Sequence, residues 1–182
     1  MSKLKPAVNS NDHHLGNVNA TTTLVEYGDF QCPHCKHAHP LIKRLLKERS
    51  NDLHFVFRNF PLTEVHPHAY TAAITAEAAG KQDKFWEMHD LIFENQDNLN
   101  TKFLLSLAEN IGLDMKQFAT DSKSNELQSK IEADFESGVR SGVNGTPTFF
   151  INGLSLLTYD ETYESLSDAV LLESEMKQDK II

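Results

Sequence analysis

The chain has 182 residues, 40% of them hydrophobic, which is ample apolar material for one domain or one domain carrying a large insertion. Its formal net charge of -9 argues against non-specific nucleic-acid binding and against attraction to an anionic membrane surface. No apolar run approaches the roughly 18 residues of a transmembrane helix, and Met1 to Ala20 lacks the apolar centre of a secretory signal. A cytoplasmic protein without stable membrane insertion is therefore expected from the sequence as written, or a periplasmic one if the chain is a processed form.

In chain order, residues 1–13 read as a polar N-terminal arm, extended or mobile, with His14-Leu15-Gly16 pairing weakly with a sheet. Residues 22–28 begin as a buried strand and break at Gly28. A helix is predicted over 33–49, with Pro33 in its first turn, where its missing N–H is no loss, and Pro40 further inside predicting a kink. Residues 53–60 alternate and are rich in Phe, a second strand stopped by Pro61. Helical signals then follow without interruption over 67–80, 83–94, 101–111, 114–120 and 126–139, their aromatic and Ala stripes marking core. Residues 148–151 and 154–157 form a hairpin around Asn152-Gly153. A last amphipathic helix runs over 160–173, and the chain frays over 177–182. The order predicts an α/β protein whose sheet is partly parallel, with an antiparallel edge from the hairpin.

The only two cysteines stand in Cys32-Pro33-His34-Cys35, where the first strand hands over to the first helix. Two thiols at this spacing are catalytic, metal-binding or incidental; no further cysteine is present to make a structural framework. A helix N-terminus favours ionisation of a thiol, because unpaired N–H groups and the positive end of the helix dipole stabilise the anion. His34 adds a second positive group when protonated. Cys32 is thus the predicted nucleophile and Cys35, one turn inward, the resolving thiol, close enough for one disulfide. A zinc reading takes Cys32, Cys35, His37 and His39 together; it is disfavoured because His37 and His39, two apart on a helix, point to different faces.

More than a hundred residues later comes Gly145-Thr146-Pro147-Thr148-Phe149-Phe150-Ile151, with a proline directly before an apolar strand. Together, the strand-CPHC-helix and GTPTF-strand segments resemble the DsbA branch of the thioredoxin superfamily, over about residues 14–175. Val25 to His39, Phe57 to Ala69 (with Phe60-Pro61-Leu62 and His66-Pro67-His68) and Gly145 to Gly153 most resemble small stand-alone bacterial members. The resemblance implies a thioredoxin-like fold with a central mixed sheet and an inserted all-helical domain. The thioredoxin-like part is expected at 14–61 and 143–176, and the helical insertion at 62–142. It also implies that Pro147 is cis and presents Thr146 to an extended substrate, and that His34 stabilises the Cys32 thiolate. Glu26 matches an acidic position of the family. A carboxylate on a buried strand is costly unless neutral or paired, and it is assigned a proton relay to Cys35, against a plain salt bridge with a lysine. Asp29 reads as a turn residue, and His66 and His68 as part of a helix start that borders the groove.

The favoured function is that of a monomeric dithiol oxidant with no cofactor beyond its own cysteine pair. It exchanges disulfides with cysteine-containing client proteins and is recycled by a redox partner. Two other readings stay open: a cytosolic disulfide reductase or isomerase, and a redox-inactive metal-binding or peptide-binding module.

Overall fold

β-branched and aromatic residues fill the two central strands, and both strands are buried on both faces. The computed structural model, which describes residues 2–178, has five strands among those residues. They are β1 (His13–Gly16), β2 (Thr22–Gly28), β3 (Leu53–Asn59), β4 (Thr148–Ile151) and β5 (Leu154–Ser155), in the spatial order β1-β3-β2-β4-β5. Only β2 and β3 pair in parallel, and the helix α1 (Pro33–Glu48) connects them; every other pairing is antiparallel. α1 continues through Pro40 to Glu48.

Alternation along the strands splits the interior in two. Leu24, Phe55 and Phe57 face the main core, which also takes in Cys35, Ala38 and Leu45 of α1. Val25, Tyr27, Val56 and Phe150 face a smaller core on the other side. Glu26, opposite Phe57 and Phe149 in the register, shares the face of Leu24 and is therefore carried toward α1.

Five helices lie between β3 and β4: α2 (Ala69–Gly80), α3 (Phe85–Glu94), α4 (Thr101–Asn110), α5 (Met115–Asp121) and α6 (Asn125–Arg140), with a short 3-10 turn at Gln96–Asn98. Their starts are set by side-chain caps. Asn100, Asp114 and Ser124 each accept from backbone N–H groups of the first turn. α3 packs on α1 and α6 on β3, and the main core runs without a break from the sheet through Phe85, Met88 and Phe93 to Leu104 and Leu127. α7 (Tyr163–Gln178) covers β2, β4 and α1. No helix among the described residues is long and apolar enough to cross a membrane.

Two boundaries differ from the sequence expectation. The second hairpin strand stops at Ser155, and α7 begins at Tyr163 because Asp160 turns back to accept from the Thr162 N–H and hydroxyl. The expected fraying over 177–182 lies largely outside the described residues. The largest difference is the N-terminal arm, which is bound along its length. Ser2 and Leu4 hydrogen-bond to Ser155 and Gly153, and Leu4 and Val8 cover the smaller core. Arg58, 1% exposed, donates to Asp12 at 2.7 and 2.9 Å, to the Tyr27 hydroxyl at 3.0 Å and to the Pro6 carbonyl at 3.1 Å. A buried guanidinium needs such partners. The carboxylate among them is supplied from 46 residues away, which no local pattern in a polar segment reveals.

Candidate active site

Cys32 is the N-cap of α1, in extended conformation, with Pro33 in the first turn. It keeps 4% of its surface exposed, whereas Cys35 keeps none. The two thiols are driven apart in acidity. The hydrogen bond from the Cys35 thiol is the largest cause that lowers Cys32; Thr146 and the backbone N–H groups of Cys35 and His34 add to it. Burial opposes these, and the balance brings Cys32 down to about 5. Burial pushes Cys35 well above the usual thiol range, and its hydrogen bond to Cys32 and the nearby Glu26 carboxyl push it further. One sulfur is therefore an anion at neutral pH and its neighbour a thiol.

Glu26 is 2% exposed. Its Oε1 has no hydrogen-bond partner and the side chain forms no ion pair among the described residues. Burial, with the Cys32 charge as a second cause, raises its carboxyl to about 8. Tyr159, whose ring packs edge-on against Phe149 at 4.8 Å, brings to this neighbourhood a second buried oxygen with no partner among the described residues. Burial raises its phenol, and Glu26 and Cys35 are among the groups that add to the rise.

The imidazole of His34 is 2.7 Å from Glu161 Oε1, and both side chains are at least half exposed. What reaches the Cys32 sulfur from His34 is its backbone N–H. The expected imidazole support is thus replaced by the helix end itself. Glu161 has a φ of 68°, in the left-handed region, and its carbonyl also accepts from His37 Nε2 at 2.8 Å. The turn before α7 is in this way clasped to the active-site helix.

Asp29 does more than make a turn. Buried at 1% exposure, it accepts from the Gln31 N–H at 2.7 Å, the Leu62 N–H at 2.8 Å and His66 Nδ1 at 2.8 Å. Its own N–H points to Cys35 Sγ at 3.4 Å. The His68 N–H donates to Gln31 Oε1 at 2.6 Å, so the His66-Pro67-His68 segment is fastened to the loop that carries the thiols. Gln96, from the 3-10 turn, donates to the Phe30 and Cys32 carbonyls at 3.0 and 2.9 Å. Gln96→Leu is expected to lower the denaturation midpoint by the equivalent of about 1 kcal/mol, because the Phe30 carbonyl loses its side-chain donor and the Cys32 carbonyl keeps only the Lys36 N–H. An unchanged midpoint would show that these bonds do not hold the loop.

The Thr146-Pro147 peptide is cis. Thr146 faces the sulfur with two groups. Its carbonyl lies 3.2 Å from Cys32 Sγ and accepts from it only when the thiol is protonated, whereas its hydroxyl, buried with no other partner among the described residues, is available as a donor to the thiolate. Beside the cis peptide opens a cleft of about 350 Å³, lined by Pro147, Thr148, Leu156, Leu157 and Tyr159. A larger cavity of about 540 Å³ lies against Arg58, Asp12 and α6, where the charged groups are already paired with one another. The Cys32, Cys35, His37 and His39 set is not gathered: His37 turns to Glu161, and His39 is buried between α1 and α3.

The thioredoxin family model matches residues 8–170. The chain belongs to the thioredoxin family. Among solved structures, the thioredoxin fold of this chain is similar to α-DsbA1 from Wolbachia pipientis, with a TM-score of 0.84 at 20% identity, covering 96% of each chain. It is also similar to BdbD from Bacillus subtilis, with a TM-score of 0.79 at 22% identity over 91% of this chain and 94% of that one. The α/β architecture with its mixed sheet, expected from the sequence, is thus the DsbA-like form of the thioredoxin fold. Among curated relatives, the Na(+)/H(+) antiporter NhaA 1 of Salinispora arenicola is 45% identical over 142 residues, which are 78% of this chain and 22% of the relative. NhaA 3 of Salinispora tropica is 44% identical, with the same coverage. The chain spans about a fifth of the length of these relatives.

The sequence signals found the thiols, the strand carboxyl and the Thr146-Pro147 pair, and the fold brings all of them to one end of α1. Glu161, Gln96 and Tyr159 carried no signal, because each reaches the site from a segment with no pattern of its own.

Proposed function

We propose that the protein is a thiol–disulfide oxidoreductase that exchanges disulfides with cysteine-containing client proteins through Cys32 and Cys35, running as a dithiol oxidant. The observation that carries this reading is the contrast between the two sulfurs: an accessible edge and a strongly lowered pKa at Cys32, full burial and a raised one at Cys35.

In the oxidising direction a client thiolate attacks Cys32 Sγ. The Cys32–Cys35 bond breaks, its electron pair goes to Cys35 Sγ, and the Glu26 carboxyl neutralises that sulfur with its proton. A second client thiolate then attacks the client sulfur of the mixed disulfide and releases Cys32 as a thiolate, held by the helix N–H groups and Thr146. The client leaves with a new disulfide, and the protein is left as a dithiol for a recycling redox partner to reoxidise. In the reverse step Cys35 must lose a proton as it attacks Cys32. With Cys32 neutral in the mixed disulfide, one of the two causes that raise Glu26 is gone, so the carboxylate forms more readily when a base is needed. Client peptides are expected to lie along the cleft beside Thr146 and Pro147.

The test is alkylation as a function of pH. Cys32 should react with a midpoint near 5 while Cys35 resists, and Cys35→Ala should trap client mixed disulfides on Cys32. Reaction of both thiols only near the free-cysteine value of about 8.5 would remove the basis of the proposal.

A further inference from the structure

Away from the dithiol, His39 on α1 and His89 and Asp90 on α3 form the one group of three His, Cys, Asp or Glu side chains among the described residues whose ligand atoms all lie within 4.8 Å of one another. We propose that these three residues bind a divalent transition-metal ion of the zinc class, at a site distinct from the redox centre. His39 and His89 are 6% and 4% exposed. His39 Nε2 has no hydrogen-bond partner among the described residues and faces Asp90 Oδ1 at 3.7 Å, too far for a hydrogen bond. A buried imidazole nitrogen aimed at a carboxylate it does not reach is the arrangement a cation between them would complete. His89 Nδ1 lies 3.1 Å from the same oxygen.

At zinc–nitrogen and zinc–oxygen lengths near 2 Å, neighbouring ligands of a tetrahedral site are roughly 3.4 Å apart. The two observed edges at Asp90 bracket that value, and closing the His39–His89 edge completes a face. Two imidazoles and one carboxylate suit zinc, cobalt or nickel and not calcium or magnesium, which take oxygen ligands. Asp90 is 33% exposed, so the fourth position opens toward solvent on its side, where a water completes the set. Lys43 Nζ holds the other carboxylate oxygen at 2.8 Å and also pairs with Glu94 at 3.0 Å. This fixes Asp90 as a one-oxygen ligand in the way outer groups orient metal ligands. Lys43, Asp90 and Glu94 together leave one negative charge facing the site. His39 is one turn beyond Cys35 on α1, so a bound ion would tie the redox helix to the inserted helices.

The test uses the full chain with Cys32 and Cys35 oxidised to their disulfide, so that thiolates do not compete for the metal. After chelator treatment, zinc alone should bind with a stoichiometry of one and raise the melting temperature. Cobalt should give the visible absorption of a four-coordinate nitrogen and oxygen site. Asp90→Asn and His39→Phe, the latter keeping a ring against Phe93, should each weaken zinc binding at least tenfold. His54→Gln, at the separate His14–His54 contact, should not. Absence of binding, or binding unaltered in Asp90→Asn and His39→Phe, would overturn the proposal. Asp90 is part-exposed, so its variant reports even if His39→Phe does not fold. Because every readout is a binding measurement on the oxidised protein, the result is independent of whether the protein is an oxidant.

Discussion

Glu26→Gln is expected to stabilise the folded protein by roughly 3 kcal/mol at pH 7. The Glu26 carboxyl has an ordinary value of 4.5 and is raised to about 8 in the fold, chiefly by burial. Between those two values the folded state binds a proton that the unfolded state has released, so stability falls as pH rises through the window. At pH 7 about 2.5 pH units of the gap are realised, which sets the magnitude. Glutamine has the same shape and no proton to take up. The gain should vanish near pH 4, where both states keep the carboxyl protonated, and denaturant unfolding at the two pH values measures it. The same variant should slow the steps in which Cys35 gains or loses a proton and leave the first attack by Cys32 on a client disulfide nearly unchanged. Equal stability at pH 7, or equal slowing of both steps, would show that Glu26 is neither strained by burial nor a relay.

The reduced protein is expected to be more stable than the oxidised one at pH 7, and the order should invert as the solution is acidified. A lowered thiol pKa contributes stability that is complete above the unfolded value and is lost as pH falls through the folded one. With Cys32 lowered from 9.0 to about 5, about 2 pH units are realised at pH 7, or roughly 2.7 kcal/mol in favour of the thiolate. A disulfide closing a four-residue loop stabilises the oxidised form by about 2 kcal/mol on the chain-entropy account. The thiolate therefore leads by about 1 kcal/mol at pH 7, falls level near pH 6.5, and trails by pH 5, where most of its contribution is gone. Denaturant midpoints of the two redox forms across this range decide the matter. A more stable oxidised form at pH 7 would favour the reductase reading over the oxidant one.

The sequence by itself determined the elements and the chemistry that depends on neighbours along the chain. β2, α1 and β3 follow from alternation, helical spacing and the prolines that bound them. The position of two thiols at a helix start already implies that one ionises more easily than the other. The Asn152-Gly153 turn acted as a local signal and is found where such residues work. The resemblance carried by the CPHC and GTPTF segments gave the cis proline, which no spacing rule could.

Tertiary structure alone decided what faces what. That Glu26 lies on the face of β2 directed toward α1, with no cation among the described residues to meet it, depends on strand register. That Cys32 owes its acidity first to Cys35 and then to Thr146 and backbone N–H groups, while the His34 ring turns to Glu161, depends on how the turn before α7 lies over the helix end. The polar arm looked free because its anchor, buried Arg58, is a single charged residue in a strand, and its partner Asp12 shows its use only once the two are in contact. Hydrophobic pattern is periodic and can be read along the chain. A polar contact between distant segments has no period, and its energy exists only when the fold removes both groups from water.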